Sequence, residues 1–179
     1  MKRFFTICFW ICLFATFATS ATAIQLQELK PISFTSNGAK IAGWHWLRRA
    51  GNYAEWTFEL PHNITKNTVA ALCFSTLSTN TFNGGAGFNS TLKVILNQGP
   101  RFNVKLKNDC PCLKHRNGGN SHGIGYHSHG CAKHKIPKKV RGPNANILKV
   151  RVEYPRGNHT AVRQESLKMI LMIKNKVHR

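Results

Sequence analysis

Two stretches of this chain alternate apolar and polar residues with a period of two. In Tyr53-Ala54-Glu55-Trp56-Thr57-Phe58-Glu59-Leu60, apolar Ala54, Trp56, Phe58 and Leu60 are separated by Glu55, Thr57 and Glu59. In Leu148-Lys149-Val150-Arg151-Val152-Glu153-Tyr154, the charges occupy every second position. Successive side chains of a strand point to opposite faces, so each stretch reads as a strand with one face in a core and one in water. Weaker versions of the pattern predict strands over 40–47, 68–79, 91–96, 102–106 and 166–173. Turn-forming clusters separate them: Ala50-Gly51-Asn52, Pro61-His62-Asn63, Asn83-Gly84-Gly85, Asn97-Gln98-Gly99-Pro100 and Pro155-Arg156-Gly157-Asn158.

No segment carries a sustained helical period with caps. Seven or eight short strands joined by Gly, Asn and Pro turns therefore predict an all-β fold: an antiparallel β-sandwich, in the manner of a jelly roll. The stretch 107–146 has little strand pattern and is expected to be one long Cys/His-rich insertion loop. A loop of that length inside a compact domain is unusual, and it is commonly functional or tied down.

The N-terminus has a different character. Met1-Lys2-Arg3 is a positive start, residues 4–18 are almost wholly apolar, and Ala21-Thr22-Ala23 has small residues at the spacing of a cleavage site. That order of parts predicts a signal peptide over 1–23 and a single domain over 24–179, secreted to the extracellular space. No later stretch approaches the ~20 apolar residues that cross a bilayer, so stable membrane insertion is not expected. Without Lys2 and Arg3 the 26 basic residues fall to 24 against six acidic ones, a net charge of +18. Such an excess attracts polyanions at a distance. Outside a cell these are anionic polysaccharides and lipid surfaces, with nucleic acid bound only non-specifically.

Residues 110–134, CPCLKHRNGGNSHGIGYHSHGCAKH, hold three of the four cysteines beyond the signal segment and five of the nine histidines. In an exported chain Cys73, Cys110, Cys112 and Cys131 favour disulfides. A direct Cys110–Cys112 bridge through Pro111 has poor geometry. Cys73 then takes one member of that pair and Cys131 the other. A bridge closing a loop of some twenty residues contributes about 3 kcal/mol in the chain-entropy model. The rival is a metal. No cofactor is required by the sequence, but His122, His127 and His129 are the candidate ligands for a transition metal such as zinc, copper or nickel. A third use needs no metal: Lys114, Arg116, Lys133, Lys135, Lys138, Lys139 and Arg141 form a basic surface suited to an anion, in a run without any acid.

Residues 43–61 (GWHWLRRAGNYAEWTFELP) and 158–173 (NHTAVRQESLKMILMI) resemble the galactose-binding-like β-sandwiches found in carbohydrate-binding modules. The first is an aromatic strand leading into an alternating one; the second is like the closing pair of strands. The resemblance covers about thirty-five residues, and it implies a sandwich that binds a carbohydrate. The chain departs from the pattern in two places: no acidic or carbonyl-rich calcium loop is recognisable, and the Cys/His stretch has no counterpart.

Trp44 and Trp46, two apart on a strand, share a face and could stack on sugar rings, or they belong to the core. Glu55 and Glu59 share a polar face but stand ~13 Å apart along it, too far for a glycosidase pair. No G-x-S-x-G, H-E-x-x-H or phosphate-binding glycine loop is present, and catalytic residues are not assigned. Asn63, Asn89 and Asn158 begin N-glycosylation sequons. The expected function is that of a secreted, non-enzymatic protein recognising a glycan, anionic or neutral, or another extracellular polyanion through a basic surface. A histidine-based metal-binding protein and a cationic antimicrobial or toxic factor are the alternatives.

Overall fold

The computed structural model describes residues 22–79, 91–106, 120–121, 125–140, 146–154 and 159–176. Thirteen strands are present among them, with no α-helix. In chain order they are β1 (Thr22–Leu29), β2 (Ser33–Ser36), β3 (Ala39–Ile41), β4 (Trp44–Leu47), β5 (Tyr53–Glu59), β6 (Val69–Thr79), β7 (Thr91–Leu96), β8 (Phe102–Lys105), β9 (Asn120–Ser121), β10 (Gly125–Lys135), β11 (Ile147–Glu153), β12 (His159–Val162) and β13 (Leu167–Lys176). All pairings are antiparallel.

Five strands form one sheet in the order β2-β5-β11-β7-β8, and the other eight form a second sheet around β6. One edge of β6 pairs with β10 along nearly its whole length. The other edge takes β13 over Val69–Phe74 and β12 beyond it. Between β12 and β13 lies a single 3-10 turn, Gln164–Ser166. The two strands are thus one long strand interrupted by a bulge. Below the bulge β13 goes on to pair with β1, and above it β12 pairs with β4, which pairs with β3.

The core lies between the sheets. Leu72, Phe74, Met169 and Leu171 of the larger sheet meet Trp56, Phe58, Val150 and Val152 of the smaller, and each is fully buried. These are the alternate positions that the period-two pattern assigns inward. Trp56 also reaches across the sandwich: its Nε1 donates to the carbonyl of Gln164 at 2.8 Å. That bond satisfies both a buried indole and a carbonyl that the bulge leaves outside the sheet ladder.

Three features depart from the sequence reading. The stretch 40–47, expected to be one strand, is broken by a tight turn with Ala42 at φ 50° and Gly43 at φ 79°. This left-handed backbone fits the right-handed twist of a hairpin, and glycine adopts it without cost. The expected insertion loop 107–146 contains the eleven-residue β10, one of the two longest strands described. Its polar composition hid it. Among its described side chains Gly130, Ala132 and His134 face inward, and a Cβ on Gly130 would stand 2.9 Å from Leu106 Cδ2 and 3.0 Å from the Lys105 carbonyl. A glycine is what lets β10 approach β8. Strands β1 and β2 were also not anticipated, whereas β12 and β13 fall where the resemblance placed a closing pair of strands.

The cross-sandwich hydrogen bond generates a prediction. Trp56→Phe keeps most of the aromatic volume but leaves the Gln164 carbonyl without its donor. It is expected to lower the unfolding free energy by about 1–3 kcal/mol in urea titration.

Candidate functional site

A cleft among the described residues lies on the outward face of the five-stranded sheet. Glu55 of β5 stands opposite Arg151 of β11. Its carboxylate takes Arg151 Nε at 2.9 Å and Lys149 Nζ at 3.3 Å. The Arg151 guanidinium also lies 4.3 Å from the centre of the Tyr53 ring. One strand position further along β11, Glu153 holds Arg101 Nε at 3.0 Å. A carboxylate at each position therefore fixes the direction of a flexible cation.

The turn between β7 and β8 forms one wall. Asn97 and Gln98 have φ of 43° and 62°, a left-handed pair that closes the hairpin with Gly99 N–H donating to the Leu96 carbonyl at 2.7 Å. The Asn97 side chain accepts from Lys149 N–H at 2.5 Å and donates to the Ile147 carbonyl at 2.9 Å. This clamp fixes the turn to β11 and turns Gln98 outward.

Two adjoining hollows result. One, of about 450 Å³, is lined by Glu55, Ile95, Gln98, Arg101, Lys149 and Arg151. The other, of about 380 Å³, adds Tyr53, Lys93, Glu153 and Tyr154 and shares Arg101 and Arg151 with the first. Four cations, Lys93, Arg101, Lys149 and Arg151, thus face two carboxylates. Chemically the groove offers guanidinium donors, carboxylate and amide acceptors, and an aromatic ring. That set hydrogen-bonds hydroxyl groups and accepts one or two negative charges.

The sequence-predicted candidates fall elsewhere. Trp44 and Trp46 are 8% and 1% exposed. With Leu77 and Ala161 they form a second small core on the outward face of the eight-stranded sheet. Arg163 and Arg48 lie over the two rings at 4.7 and 4.8 Å. Buried under guanidinium groups, neither indole has a face free for a sugar, which corrects the stacking expectation in favour of core. Lys133, Lys135 and Lys138 are exposed. The first two point outward from β10, one strand step apart, on the sheet opposite to the groove. Lys139 lies in a 3-10 turn, Lys138–Val140, and its side chain is outside the description. Lys114, Arg116 and Arg141 lie outside the described residues.

Of the proposed ligand histidines, His129 is buried on the outward face of β10. Both its ring nitrogens lack a partner among the described residues. His122 and the His127 side chain lie outside the description, and among the described residues no three His, Cys, Asp or Glu cluster as a metal site. Cys73 and Cys131 stand directly opposite each other in the β6–β10 ladder, and neither is a free thiol. Cys110 and Cys112 lie outside the described residues, as do Asn89 and Asn158; Asn63 is exposed.

The sequence reading missed the groove although one signal was present. Outward Glu55 and Glu59 on one strand and outward Lys149, Arg151 and Glu153 on another carry complementary charges suited to cross-strand pairing. Nothing in the sequence said that these two strands are neighbours.

No protein-family model and no curated protein matches the chain. Among solved structures, the CBM35 from Cellvibrio japonicus Abf62 aligns over 86% of this chain and 100% of its own, at 11% identity and a TM-score of 0.38. At that score the alignment decides neither fold nor ligand, and the sandwich stands on its own strand pairing.

One histidine generates a pH prediction. Burial, with the charge of Lys40 second, holds the His45 imidazole below its ordinary 6.5. Its ring packs edge-on against Phe34 at 5.2 Å. A depressed folded pKa means that the unfolded chain binds the proton first. The stability His45 contributes is therefore present above pH 6.5 and is lost as pH falls from there through the folded value. Thermal unfolding followed across that interval should fall less steeply for His45→Gln than for the parent.

Proposed function

We propose that the protein is a secreted, non-enzymatic binding protein whose ligand is a glycan or related extracellular polyanion. The observation that carries this reading is the tethered pair Arg101 and Arg151 in the groove. Each is held by a carboxylate, so little side-chain entropy is lost when a ligand oxygen joins them. The excess of cations over acids favours an anionic sugar such as a sulfated or uronic one, while Tyr53, Gln98 and Glu55 suit its hydroxyl groups. Lys133, Lys135 and Lys138, remote from the groove, add long-range attraction. Secretion rests on the charged and apolar order of residues 1–23. In the same reading, disulfides tie Cys73 and Cys131 to the Cys110-Pro111-Cys112 stretch.

A second reading is supported by His129. A buried imidazole whose two nitrogens lack a partner among the described residues invites one, and a transition metal held together with His122 and His127 would satisfy one of them. Zinc retained stoichiometrically by the parent and lost from His129→Ala, by elemental analysis, would carry that reading. A parent without bound metal after zinc loading would sink it.

The glycan reading is tested with two variants. Arg101→Ser with Lys149→Ser empties the groove of two exposed cations and should leave the melting temperature nearly unchanged. Its affinity for heparin should fall by roughly tenfold, the equivalent of one charge-assisted hydrogen bond, at low and high salt alike. Lys133→Ser, Lys135→Ser, Lys138→Ser and Lys139→Ser together should weaken heparin binding mainly at low salt. If the groove variant binds heparin, uronic and neutral polysaccharides as the parent does, the groove is not the site.

A further inference from the structure

The outward face of the eight-stranded sheet, on the opposite side of the molecule from the groove, has a polarity of its own. Its register can be read in rows. Lys135 of β10 stands beside Val69 of β6, then Met172 of β13, then Leu26 of β1. The next row runs Lys133, Ala71, Ile170 and Glu28. Neighbouring strands are ~4.8 Å apart. A column of lysines therefore runs parallel to an apolar column about 15 Å away, at the other side of the same flat face. In the apolar column Ile24 and Leu26 are 58% and 66% exposed, and Ile170 and Met172 are half-buried beside them.

Charge surrounds the apolar column. Lys174 stands opposite Ile24, and Lys30 follows β1; both are exposed. Glu28 is the one acid at an outward strand position of this face among the described residues, and Lys168 neutralises it at 2.8 Å. Contiguous exposed apolar residues mark a surface that meets something, and here Ile24, Leu26 and Met172 adjoin. The apolar residues thus line the β1 edge of this face, with Lys30 and Lys174 beside them and Lys133 and Lys135 further in. Such a face complements a partner that offers an apolar layer next to an anionic one.

We propose that this face docks the protein onto a bilayer bearing anionic headgroups. Ile24, Leu26, Ile170 and Met172 would lie at the acyl boundary, with Lys30, Lys133, Lys135 and Lys174 at headgroup level. The mode is peripheral, since the strands are buried in a sandwich and expose only one row of side chains. A second copy of this chain is the poorer occupant. Two molecules of net charge +20 repel, and facing copies would bring lysine columns together. The inference is independent of the glycan groove, which lies on the other sheet.

The test is flotation of the protein with vesicles of phosphatidylcholine, with and without phosphatidylglycerol. Any strongly cationic protein binds anionic vesicles at low salt, so the deciding arm is at high salt, where headgroup attraction is screened. The parent is expected to float with the anionic vesicles, with a fraction surviving high salt. Ile24→Ser with Leu26→Ser should lose that surviving fraction, by roughly tenfold, and keep the low-salt binding. Both residues are exposed, so circular dichroism should match the parent. Lys133→Ser with Lys135→Ser gives an arm that touches no apolar residue: low-salt binding should weaken. Retention of high-salt binding by the isoleucine–leucine variant overturns the proposal. So does loss of vesicle binding in the Arg101→Ser, Lys149→Ser groove variant instead. A parent that sediments as a dimer and becomes monomeric in the Ile24→Ser, Leu26→Ser variant shows that the face meets a second copy, which also overturns it.

Discussion

Strand β6 is the constraint on which the larger sheet depends. Among the described residues of that sheet it has neighbours along both edges for most of its length: β10 on one side, β12 and β13 in succession on the other. Along its middle this strand is buried on both faces. Ala70, Leu72 and Phe74 supply the inward face, and Ala71, Cys73 and Leu77 are buried on the outward one. The run Ala70-Ala71-Leu72-Cys73-Phe74 is accordingly continuous rather than alternating. Two strands can share one edge of β6 only because the chain breaks at Gln164–Ser166. The bulge stays in place because Trp56 of the facing sheet bonds its carbonyl. What that bond holds is therefore the division of the sheet into a half ending at β3 and a half ending at β1.

Electrostatics acts on this frame through scarcity. With six acids in the chain, each carboxylate has an outsized effect on where cations point. Glu28, Glu55, Glu153 and Glu165 each hold a lysine or arginine, and Glu59 accepts from the Asn146 amide. The other described lysines and arginines have no carboxylate partner among the described residues. Two of the paired acids lie side by side on the five-stranded sheet, and this is why that face has oriented guanidinium groups. The lysines of β10 have no acid among their described neighbours. Their side chains act through long-range field rather than through a fixed contact. One face thus has guanidinium groups held in fixed directions, and the other has lysines without such a tether among the described residues.

The amino-acid sequence by itself determined the strands whose two faces differ. Residues 53–59 and 147–153 announce themselves because burial on one side and water on the other force alternation. The hairpin at Asn97-Gln98-Gly99 was legible for a similar local reason, since few residues accept its left-handed backbone. The tertiary structure alone decided what depends on distant partners. Strand β10 has a polar sequence, and it becomes a strand because β6 offers an open edge and Gly130 permits close approach to β8. Trp44 and Trp46 read as sugar platforms or, more often, as core; Leu77, Ala161 and two arginines close over them, as around core residues. The groove needs Arg101, Glu55 and Arg151, from three separate parts of the chain, on one surface. Periodicity is a local property of the chain, whereas strand adjacency is set by which pairing buries the most apolar surface while satisfying every backbone donor. No single segment contains that information.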